Sequence, residues 1–521
     1  MLKIGGNAAD AMVATSFCVG VVAMYHSGIG GGGFMLVRNQ TGSFEFLDFR
    51  ETAPALATVD KFSQAADNGP ANAGLKSLVS GVPGELRGLE YLSRKYGALP
   101  WSTVMGPAVR LARDGFPVTR DLLRYMNYAI EEYGEDFLHS DPDWAVDFAP
   151  HGRRLRLGDT MTRKRYASAL EKIASGGPDV FYSGPLGRQF VDTAAAAGGV
   201  MTTDDLRDYK VVVRNHSEIE YRGHRVITTT APSSGIVIAN ILKVLNTYDD
   251  LFTPQNVNLS THYLDEAMRF AYGLRTRLGD PDFVDGMEEY QDYMIQQSTA
   301  DAIRRRILDT QTHNVSEYNP DGIESIDTPG TSHMASVDSS GLAISATTSI
   351  NLLFGSRIIV PESGIILNNE LDDFSRPNAS KPFGRYPSRA NFIAPGKRPF
   401  SSMSPSMVLR PDGSLLMLAG AAGGSFITTA TTQNIIAAVD EGLSATEILA
   451  KPRLHDQLTP NHIIFETAYD NATVDFMRRL GHEVVFIPPI ASMAHAILVS
   501  SDGRYDVAAE PRQQDSGGAI V

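Results

Sequence analysis

The sequence predicts a layered α/β fold with mainly antiparallel sheets. Residues 55–320 carry mostly helical patterns, whereas the chain after Thr331 consists of strand hairpins with Asp-Gly or similar turns. Each sheet must bury a face against helices or another sheet, so the two patterns together indicate stacked layers. A chain of 521 residues is long enough for two or three domains or for one large unit of this kind.

Charge and composition exclude several classes of partner and site. The chain has 46 Lys and Arg against 60 Asp and Glu, a net charge of −14, so nucleic acid and anionic lipid are not expected as partners. The single cysteine, Cys18, leaves no internal disulfide and no Cys₂His₂ or Cys₄ zinc site. The histidines are dispersed and no HExxH motif occurs, so a metal enzyme is not expected either.

The first predicted element is a buried helix in "AMVATSFCVGVVAM", residues 11–24. This stretch is too short to span a bilayer, and no small-residue cleavage site leads into a mature start, so it is not read as a targeting segment. Cys18 within it is expected to be a small buried hydrophobe rather than a reactive thiol. A glycine-rich turn and two strands, "GFMLVRN" and "SFEFLDF", follow.

Further helices are predicted where apolar residues recur at helical spacing between Pro or Gly signals. "VPGELRGLEYLSRKYG" has a Pro entry and a Gly stop, and "YASALEKIASGG", "LGRQFVDTAAAAGG" and "STADAIRRRILDTQ" are similar. "HRVITTTAP" is predicted to be a strand. After Thr331, three hairpins are expected at residues 333–349, 406–420 and 495–509, with helices at 426–442 and 471–481.

Two polar stretches could bind the ends of an amino acid. "SGIILNNELDDFS" places Asn368, Asn369, Glu370, Asp372 and Asp373 directly after a predicted strand. These groups could hold an ammonium ion, or they could simply cap a helix with acidic first-turn residues. "RPFSSMSPSM" offers paired hydroxyls that suit a carboxylate, or else an ordinary serine-rich turn.

Two more features permit either a functional or a structural interpretation. "LAGAAGGSFITTATTQ" runs strand, glycine-rich turn, helix, which suits an oxyanion hole or merely close helix–strand packing. Its glycine spacing matches no nucleotide-binding loop. Arg50 in "DFRETAP" could bind a carboxylate bidentately, or it could be an ordinary salt-bridged arginine. No G-x-S-x-G elbow is present, which excludes a serine hydrolase of that type.

Thr331 raises a chemical possibility of its own. A threonine hydroxyl is a poor nucleophile, but it is activated when the residue is the first of a chain, because its own α-amine then serves as the base. That requires cleavage of the Gly330–Thr331 bond, which the Thr331 hydroxyl could perform by attacking the unhindered carbonyl of Gly330. The residues alone leave a plain turn as the alternative.

Taken together, these segments resemble one family. "TSHMASVDSSG", "GIILNNELDDFS", "RPFSSMSPSM", "GAAGGSFITTAT" and "DFRETAP" closely resemble the γ-glutamyltransferases (glutathione hydrolases), and the likeness runs from "GGNAADA" to "EPRQQDSGGAIV". The resemblance implies the N-terminal-nucleophile hydrolase fold, a four-layer αββα sandwich. It also implies a single precursor that cleaves itself into a heterodimer of a large subunit, 1–330, and a small subunit, 331–521.

The resemblance also implies a role for each site residue. Thr331 matches the nucleophile and new N-terminus, and Ser349 stands where the family usually has a Thr that hydrogen-bonds the nucleophile. The other matched residues are Arg50, Ser401 and Ser402 for the α-carboxylate of the substrate, Asn351, Glu370 and Asp373 for its α-ammonium group, and Gly423 and Gly424 for the oxyanion hole. Ser349 keeps the hydroxyl, so we expect function to survive, with a changed rate of self-cleavage.

The implied reaction is two-step covalent catalysis without a cofactor or metal. Thr331 attacks the γ-amide of glutathione or a related γ-glutamyl compound, and cysteinylglycine leaves. Water then hydrolyses the acyl-enzyme, or an amino acid or dipeptide accepts the glutamyl group. The loop 376–398 matches the position of a lid with Tyr386 as a gate, although by composition it could be an inert surface loop.

The expected compartment is the secretory pathway. Six Asn-x-Ser/Thr sequons predict a glycoprotein; they begin at Asn39, Asn215, Asn258, Asn314, Asn378 and Asn471. Family members usually carry a leader or membrane anchor, and we expect such a segment upstream of "MLKIGG". The protein would then be secreted or anchored at the cell surface or vacuole.

Two rival interpretations remain open at this stage. A cephalosporin- or glutaryl-type acylase shares the fold and the self-cleavage, but it has no need for a full amino-acid clamp, which Arg50, Glu370 and Asp373 supply. An uncleaved, inactive relative could instead act as a binding protein, and the intact Gly330-Thr331 pair argues against it.

Overall fold

Strands and helices account for most of the described chain. The computed structural model describes residues 1–62, 73–324, 330–377 and 386–521. The strands, in chain order, are β1 (Gly32–Arg38), β2 (Phe44–Phe49), β3 (Phe116–Pro117), β4 (Thr160–Met161), β5 (Val212–Arg214), β6 (Ser217–Tyr221), β7 (His224–Thr228), β8 (Ser332–Val337), β9 (Ala343–Ser349), β10 (Ser406–Leu409), β11 (Leu415–Ala422), β12 (Leu454–His455), β13 (Ile463–Glu466), β14 (Val484–Ile487), β15 (Met493–Val499) and β16 (Tyr505–Val507).

Helices occupy both halves of the chain. They are α1 (Ala8–Val22), α2 (Glu85–Tyr96), α3 (Trp101–Asp114), α4 (Arg120–Tyr133), α5 (Phe137–Ser140), α6 (Pro142–Phe148), α7 (Lys164–Gly176), α8 (Asp179–Tyr182), α9 (Pro185–Ala196), α10 (Thr203–Asp208), α11 (Gly235–Leu245), α12 (Val257–Arg275), α13 (Met287–Ile295), α14 (Gln297–Arg306), α15 (Val315–Tyr318), α16 (Phe426–Val439), α17 (Ala445–Ala450) and α18 (Asn471–Arg479). Short 3₁₀ turns include Glu370–Asp373 and Arg389–Asn391.

Two antiparallel sheets form the centre of the protein. The first has strand order β5-β2-β1-β9-β8, and the second has β16-β15-β11-β10-β7-β6. In both sheets, strands from before and after Thr331 pair directly, β1 with β9 and β7 with β10. The predicted division into 1–330 and 331–521 therefore does not divide the fold into two separate domains.

The sheets face each other and carry helices on their outer faces. The hydroxyl of Ser345 in β9 donates to the carbonyl of Ala419 in β11 at 3.2 Å, across the interface between the sheets. One core joins α1, α3 and α7 with the first sheet, and it includes Met12, Val104, Leu170 and Met35. A second core packs α11, α12 and α16 on the second sheet. This arrangement confirms the expected four-layer αββα sandwich.

The first long helix, α1, is buried as the sequence predicts. Asn7 and Asp10 form a capping box at its start, and most of its side chains are buried. Cys18 is half-buried on it, and burial raises the pKa of its thiol to about 11. Among the described residues, no helix combines the length and the apolar character that crossing a membrane requires.

Residues 55–320 are mostly helical, as the sequence predicts, and the short strands β3 to β6 also lie there. One expectation about local structure is wrong. The apolar run before Asn368 is not a strand of a sheet. Instead it folds back on itself through backbone hydrogen bonds, from Leu367 to Ile358 and from Val360 to Ile365. The turn between them contains Gly364, whose φ is +65°. Its apolar residues are buried as tightly as those of a strand, which explains the misleading pattern.

Candidate active site

The Gly330–Thr331 peptide bond lies at the edge of the first sheet. Thr331 directly precedes β8, and the register of β8 with β9 pairs Ser332 with Thr348, which brings Thr331 beside Ser349. The Thr331 side chain is buried, and its hydroxyl lies 2.5 Å from the carbonyl oxygen of Gly330. The Thr331 hydroxyl, which is the predicted nucleophile for self-cleavage, therefore already lies next to the Gly330–Thr331 peptide bond.

The Gly330 carbonyl also receives a hydrogen bond from Ser349. The Ser349 hydroxyl donates to this oxygen at 2.8 Å, and it accepts from the backbone N–H of Asn351 at 2.6 Å. A hydroxyl that both accepts and donates is held in one orientation. The Ser349 O–H therefore polarises the carbonyl that Thr331 faces.

Only glycine fits at position 330. Its φ is +133°, a conformation that side chains rarely adopt, and a Cβ there would lie 1.8 Å from the carbonyl oxygen of Asn351. The peptide unit can approach Asn351 this closely only without a side chain. The backbone at the scissile bond therefore requires glycine at position 330.

Arg50 and the acidic residues form one buried cluster. The Arg50 guanidinium contacts Glu370 through one nitrogen and Asp373 through another, and its Nε donates to the carbonyl of Pro399 at 3.3 Å. The side-chain amide of Asn351 donates to Asp373 at 3.2 Å. The sequence assigned Arg50 and the two carboxylates to opposite ends of a substrate, and the structure brings them into direct contact.

Charge in this cluster is unevenly balanced. Glu51 is also fully buried, so one guanidinium faces three carboxylates. Burial raises the pKa of Glu370 to about 8 although Arg50 opposes the shift, and burial together with Glu370 raises the pKa of Glu51. Burial alone would lower the pKa of Arg50, but its carboxylate neighbours raise it. The guanidinium stays charged, and the cluster retains protons at neutral pH.

A cleft of about 400 Å³ opens next to this cluster. Asp373 and Ser402 line it, together with Asn391 and with Arg275 at the end of α12. A guanidinium nitrogen of Arg275 donates to the Ser402 hydroxyl at 2.9 Å. The Ser401 hydroxyl instead accepts from the backbone N–H of Met403 at 3.1 Å.

Arg275 is the site residue that the sequence reasoning missed. It is almost fully buried, and its guanidinium lies over the ring of Phe400, 4.9 Å from the centroid. A basic residue in the last turn of a helix is common for electrostatic reasons alone, so the sequence offers no signal to single it out. Its contact with Ser402 nevertheless places a cation in the cleft, next to the cluster around Arg50.

The glycine-rich turn follows a strand that packs against β8. Gly423 and Gly424 link β11 to α16 with φ values of +119° and +59°. The ring of His333, two residues after Thr331, packs on Gly420 in the same strand that leads into this turn. A Cβ on Gly423 would lie 2.0 Å from the carbonyl oxygen of Ala491, so close packing explains at least this glycine. Its role in an oxyanion hole stays a prediction.

Part of the predicted lid lies outside the described residues. These are positions 378–385, which include the sequon residue Asn378. Tyr386 itself is 56% exposed, and its backbone pairs with Gly322 and Glu324 on the chain that leads towards the cleavage site. Its function as a gate stays a prediction.

The comparison with protein families decides the assignment. The family model described as gamma-glutamyltranspeptidase matches residues 1–520. The chain belongs to this family. The resemblance given by the motifs is therefore confirmed over essentially the whole sequence.

Several curated γ-glutamyltranspeptidase relatives are similar over their length. A protein named glutathione hydrolase from Aspergillus flavus is 58% identical, with 100% of this chain and 87% of that protein covered. A glutathione hydrolase proenzyme from Arthroderma benhamiae is 50% identical, with 100% and 90% covered. The glutathione hydrolase proenzyme of Escherichia coli is 36% identical, with 99% and 88% covered.

Solved structures support the fold assignment. A cephalosporin acylase from Bacillus halodurans superposes with a TM-score of 0.84 at 25% identity, covering 98% of this chain and 91% of that one. The γ-glutamyltranspeptidase of Helicobacter pylori gives a TM-score of 0.56 at 32% identity, covering 61% of this chain and 89% of that one.

Proposed function

We propose that this protein is a self-cleaving γ-glutamyltransferase and glutathione hydrolase. One observation supports the proposal most directly. The carbonyl oxygen of Gly330 accepts hydrogen bonds from the hydroxyls of both Thr331 and Ser349. The names of the curated relatives support glutathione as the substrate. Large and small subunits, 1–330 and 331–521, would arise from one precursor, as the word proenzyme in the relatives' names suggests.

Self-cleavage would begin at the contact already described. The Thr331 oxygen attacks the Gly330 carbonyl carbon, the C–N bond breaks, and the acyl group passes from nitrogen to oxygen. Water then hydrolyses this ester, which leaves a carboxylate on Gly330 and a free α-amine on Thr331. The Ser349 hydroxyl stabilises the oxyanion that forms on the Gly330 oxygen.

The same hydroxyl would then act on substrate. The α-amine of Thr331 takes the hydroxyl proton, the oxygen attacks the γ-glutamyl carbonyl, and the proton passes to the leaving amine of cysteinylglycine. The N–H groups of Gly423 and Gly424 are proposed to bind the oxyanion. Water or the amine of an amino acid or dipeptide completes the cycle by attacking the acyl-enzyme.

Substrate binding would exchange partners within the buried cluster. A γ-glutamyl group ends in a zwitterion, and its carboxylate can take the place of one acidic side chain on Arg50. Its ammonium group then satisfies the released Glu370 or Asp373. Ser401, Ser402 and Arg275 are proposed to hold the carboxylate from the side of the cleft.

The test is a comparison of Thr331→Ala with Thr331→Ser. We expect Thr331→Ala to remain a single chain on a denaturing gel and to release no cysteinylglycine from glutathione. Thr331→Ser, which keeps the hydroxyl, should still cleave and turn over. Glutathione hydrolysis by Thr331→Ala at the wild-type rate, or no active chain that starts Thr-Ser-His-Met, would remove Thr331 from its proposed role.

The acylase alternative deserves a direct comparison because a cephalosporin acylase superposes over 98% of the chain. Such an enzyme does not need the full cluster around Arg50. Assays with γ-glutamyl-p-nitroanilide and with a glutaryl-cephalosporin, each with and without glycylglycine, separate the two. Faster turnover of the glutaryl compound would favour the acylase, and turnover of neither by a persistent single chain would favour an inactive relative.

We further propose passage through the secretory pathway. Among the described sequons, Asn215, Asn314 and Asn471 are exposed and could accept a glycan. Treatment of the protein from its natural host with a glycosidase should lower its apparent mass. An unchanged mass would count against this compartment.

A further inference from the structure

Three buried metal-ligating side chains converge between α12 and the turn that follows α18. His262 and Glu266 lie one turn apart on α12, and His482 approaches from the other side. One ligating atom from each lies within 4.8 Å of the others. These two histidines, far apart in the sequence, are therefore close together in space.

Hydrogen bonding fixes the tautomer of His262. Its Nε2 lies 2.8 Å from the carbonyl oxygen of Leu308, which can only accept, so Nε2 carries the proton. With the proton on Nε2, the neutral ring has a lone pair on Nδ1. This lone pair points at Nε2 of His482, 2.9 Å away.

The other side of His482 then has an unsatisfied partner. If its Nε2–H donates to His262, its Nδ1 is a lone pair that faces a carboxylate oxygen of Asp265 at 2.9 Å. Asp265 is fully buried, and neither of its oxygens accepts a hydrogen bond from any described residue. With Asp265 ionised, two acceptors would face each other without a donor, which is unfavourable in a buried place.

We propose that this cluster binds a zinc ion through His262 Nδ1, His482 Nε2 and a carboxylate oxygen of Glu266. An ion between the two nitrogens lets the proton of His482 move to Nδ1, where it points at Asp265. That completes the carboxylate–histidine–metal arrangement that orients metal ligands in proteins. Two imidazoles and a carboxylate are a donor set that zinc accepts.

The surroundings of Glu266 support this assignment. The hydroxyl of Thr312 donates to Glu266 at 2.7 Å, and that of Tyr318 donates at 2.8 Å. Two donors on one carboxyl group hold it in a fixed orientation. Glu266 and Asp265 together bring two buried carboxyl groups to the place of the proposed ion, where no solvent can balance its charge.

The proposed ion would be structural. His262 and Glu266 precede Thr331 in the chain and His482 follows it, so the ion would join the two chains that cleavage produces. The binding site itself does not depend on the proposed function, whereas its role as a link between subunits does. A protein that cleaves itself but binds no zinc would refute the zinc site alone. A protein that binds zinc but does not cleave itself would refute the proposed function alone.

Zinc binding can be measured directly on the tag-free, full-length protein. After removal of metals with a chelator, we expect about one equivalent of Zn²⁺ to bind and the melting temperature to rise. His482→Gln should abolish this binding, and Asp265→Asn should weaken it about 10- to 100-fold because it removes only the partner that orients His482. His151→Gln, which changes an exposed histidine, is the matched control and should bind as wild type does.

The wild-type protein provides a test that does not depend on the folding of variants. X-ray absorption at the zinc edge should show two imidazole ligands and an oxygen ligand. Three results would overturn the proposal. They are absence of bound zinc at about 10 μM free metal, a zinc coordination shell without imidazole, and full zinc binding by folded His482→Gln. The first of these results would mean that a proton rather than a metal joins the two rings.

Discussion

Replacement of Ser349 by Ala tests how the scissile bond is activated. The change removes one hydroxyl that donates to the Gly330 carbonyl at 2.8 Å and leaves Thr331 untouched. In the attack by Thr331, negative charge develops on that carbonyl oxygen. The variant should therefore slow the cleavage of the precursor more than it lowers the stability of the fold.

The size of both effects follows from the contacts. Loss of one positioned donor to a developing oxyanion costs about 10²- to 10³-fold in rate, or about 2.7–4 kcal/mol. The Ser349 oxygen also accepts from the buried N–H of Asn351 at 2.6 Å. Leaving that group unpaired should cost about 1–3 kcal/mol in the free energy of unfolding.

Two control variants separate these effects. Ser345→Ala removes another buried hydroxyl from the same strand, one that donates to the carbonyl of Ala419 rather than to the scissile bond. It should lose stability but cleave at the wild-type rate. Ser349→Thr restores the hydroxyl and should cleave within a few-fold of wild type.

Purified precursors would be incubated at 25 °C and the fragments quantified over time on denaturing gels. Urea unfolding of the same samples gives the stability of each variant. If Ser349→Ala matures as fast as Ser345→Ala, the hydrogen bond from Ser349 has no part in activating the bond, and the reasoning fails.

The remaining predictions concern the backbone, the cation and a buried acid. Gly330→Ala should prevent maturation, because its Cβ would meet the Asn351 carbonyl at 1.8 Å, and intact-mass measurement should find only the full-length chain. Arg50→Lys should keep the fold but reduce kcat/KM for γ-glutamyl-p-nitroanilide about 10- to 100-fold, because a lysine cannot replace the guanidinium in both ion pairs. An unchanged KM would argue against a role of Arg50 in binding the γ-glutamyl group. Glu85 is fully buried, and burial raises its pKa from 4.5 to about 8 against a hydrogen bond from Thr348. Between pH 4.5 and about 8 the folded state holds a proton on Glu85 that the unfolded state has lost. The free energy of unfolding should therefore fall by on the order of a few kcal/mol as the pH rises through this range. Glu85→Gln should flatten the fall in melting temperature across this range, and identical slopes for the two proteins would contradict the assignment.

Local signals in the sequence were sufficient for most of the fold. The buried helix α1 and the three hairpins after Thr331 carry short-range patterns, namely a long apolar run and alternating residues around Asp-Gly or Ser-Gly turns. The strand β5 and the parallel pair β13–β14 were not predicted. Short strands of this kind are stabilised by pairing with distant segments, and a local pattern does not contain that information.

The site was predictable only as a set of residues, not as an arrangement. The motifs supplied Arg50, Glu370 and Asp373, but nothing in their spacing indicates that they pair with one another before any substrate arrives. Arg275 reaches Ser402 because the C-terminal end of α12 lies at the cleft, and the packing of α12 in the second core decides that position. Contacts between residues more than a hundred positions apart depend on the tertiary structure.

The pairing of β1 with β9 and of β7 with β10 has a kinetic consequence. Each of the two central sheets is built from chain on both sides of Gly330–Thr331, so neither product of the proposed cut contains either central sheet complete. Once the cut enzyme is unfolded, its two pieces diffuse apart and must meet again. Recovery then becomes a second-order process that speeds up on concentration, whereas the uncut chain regains its structure at a rate independent of dilution.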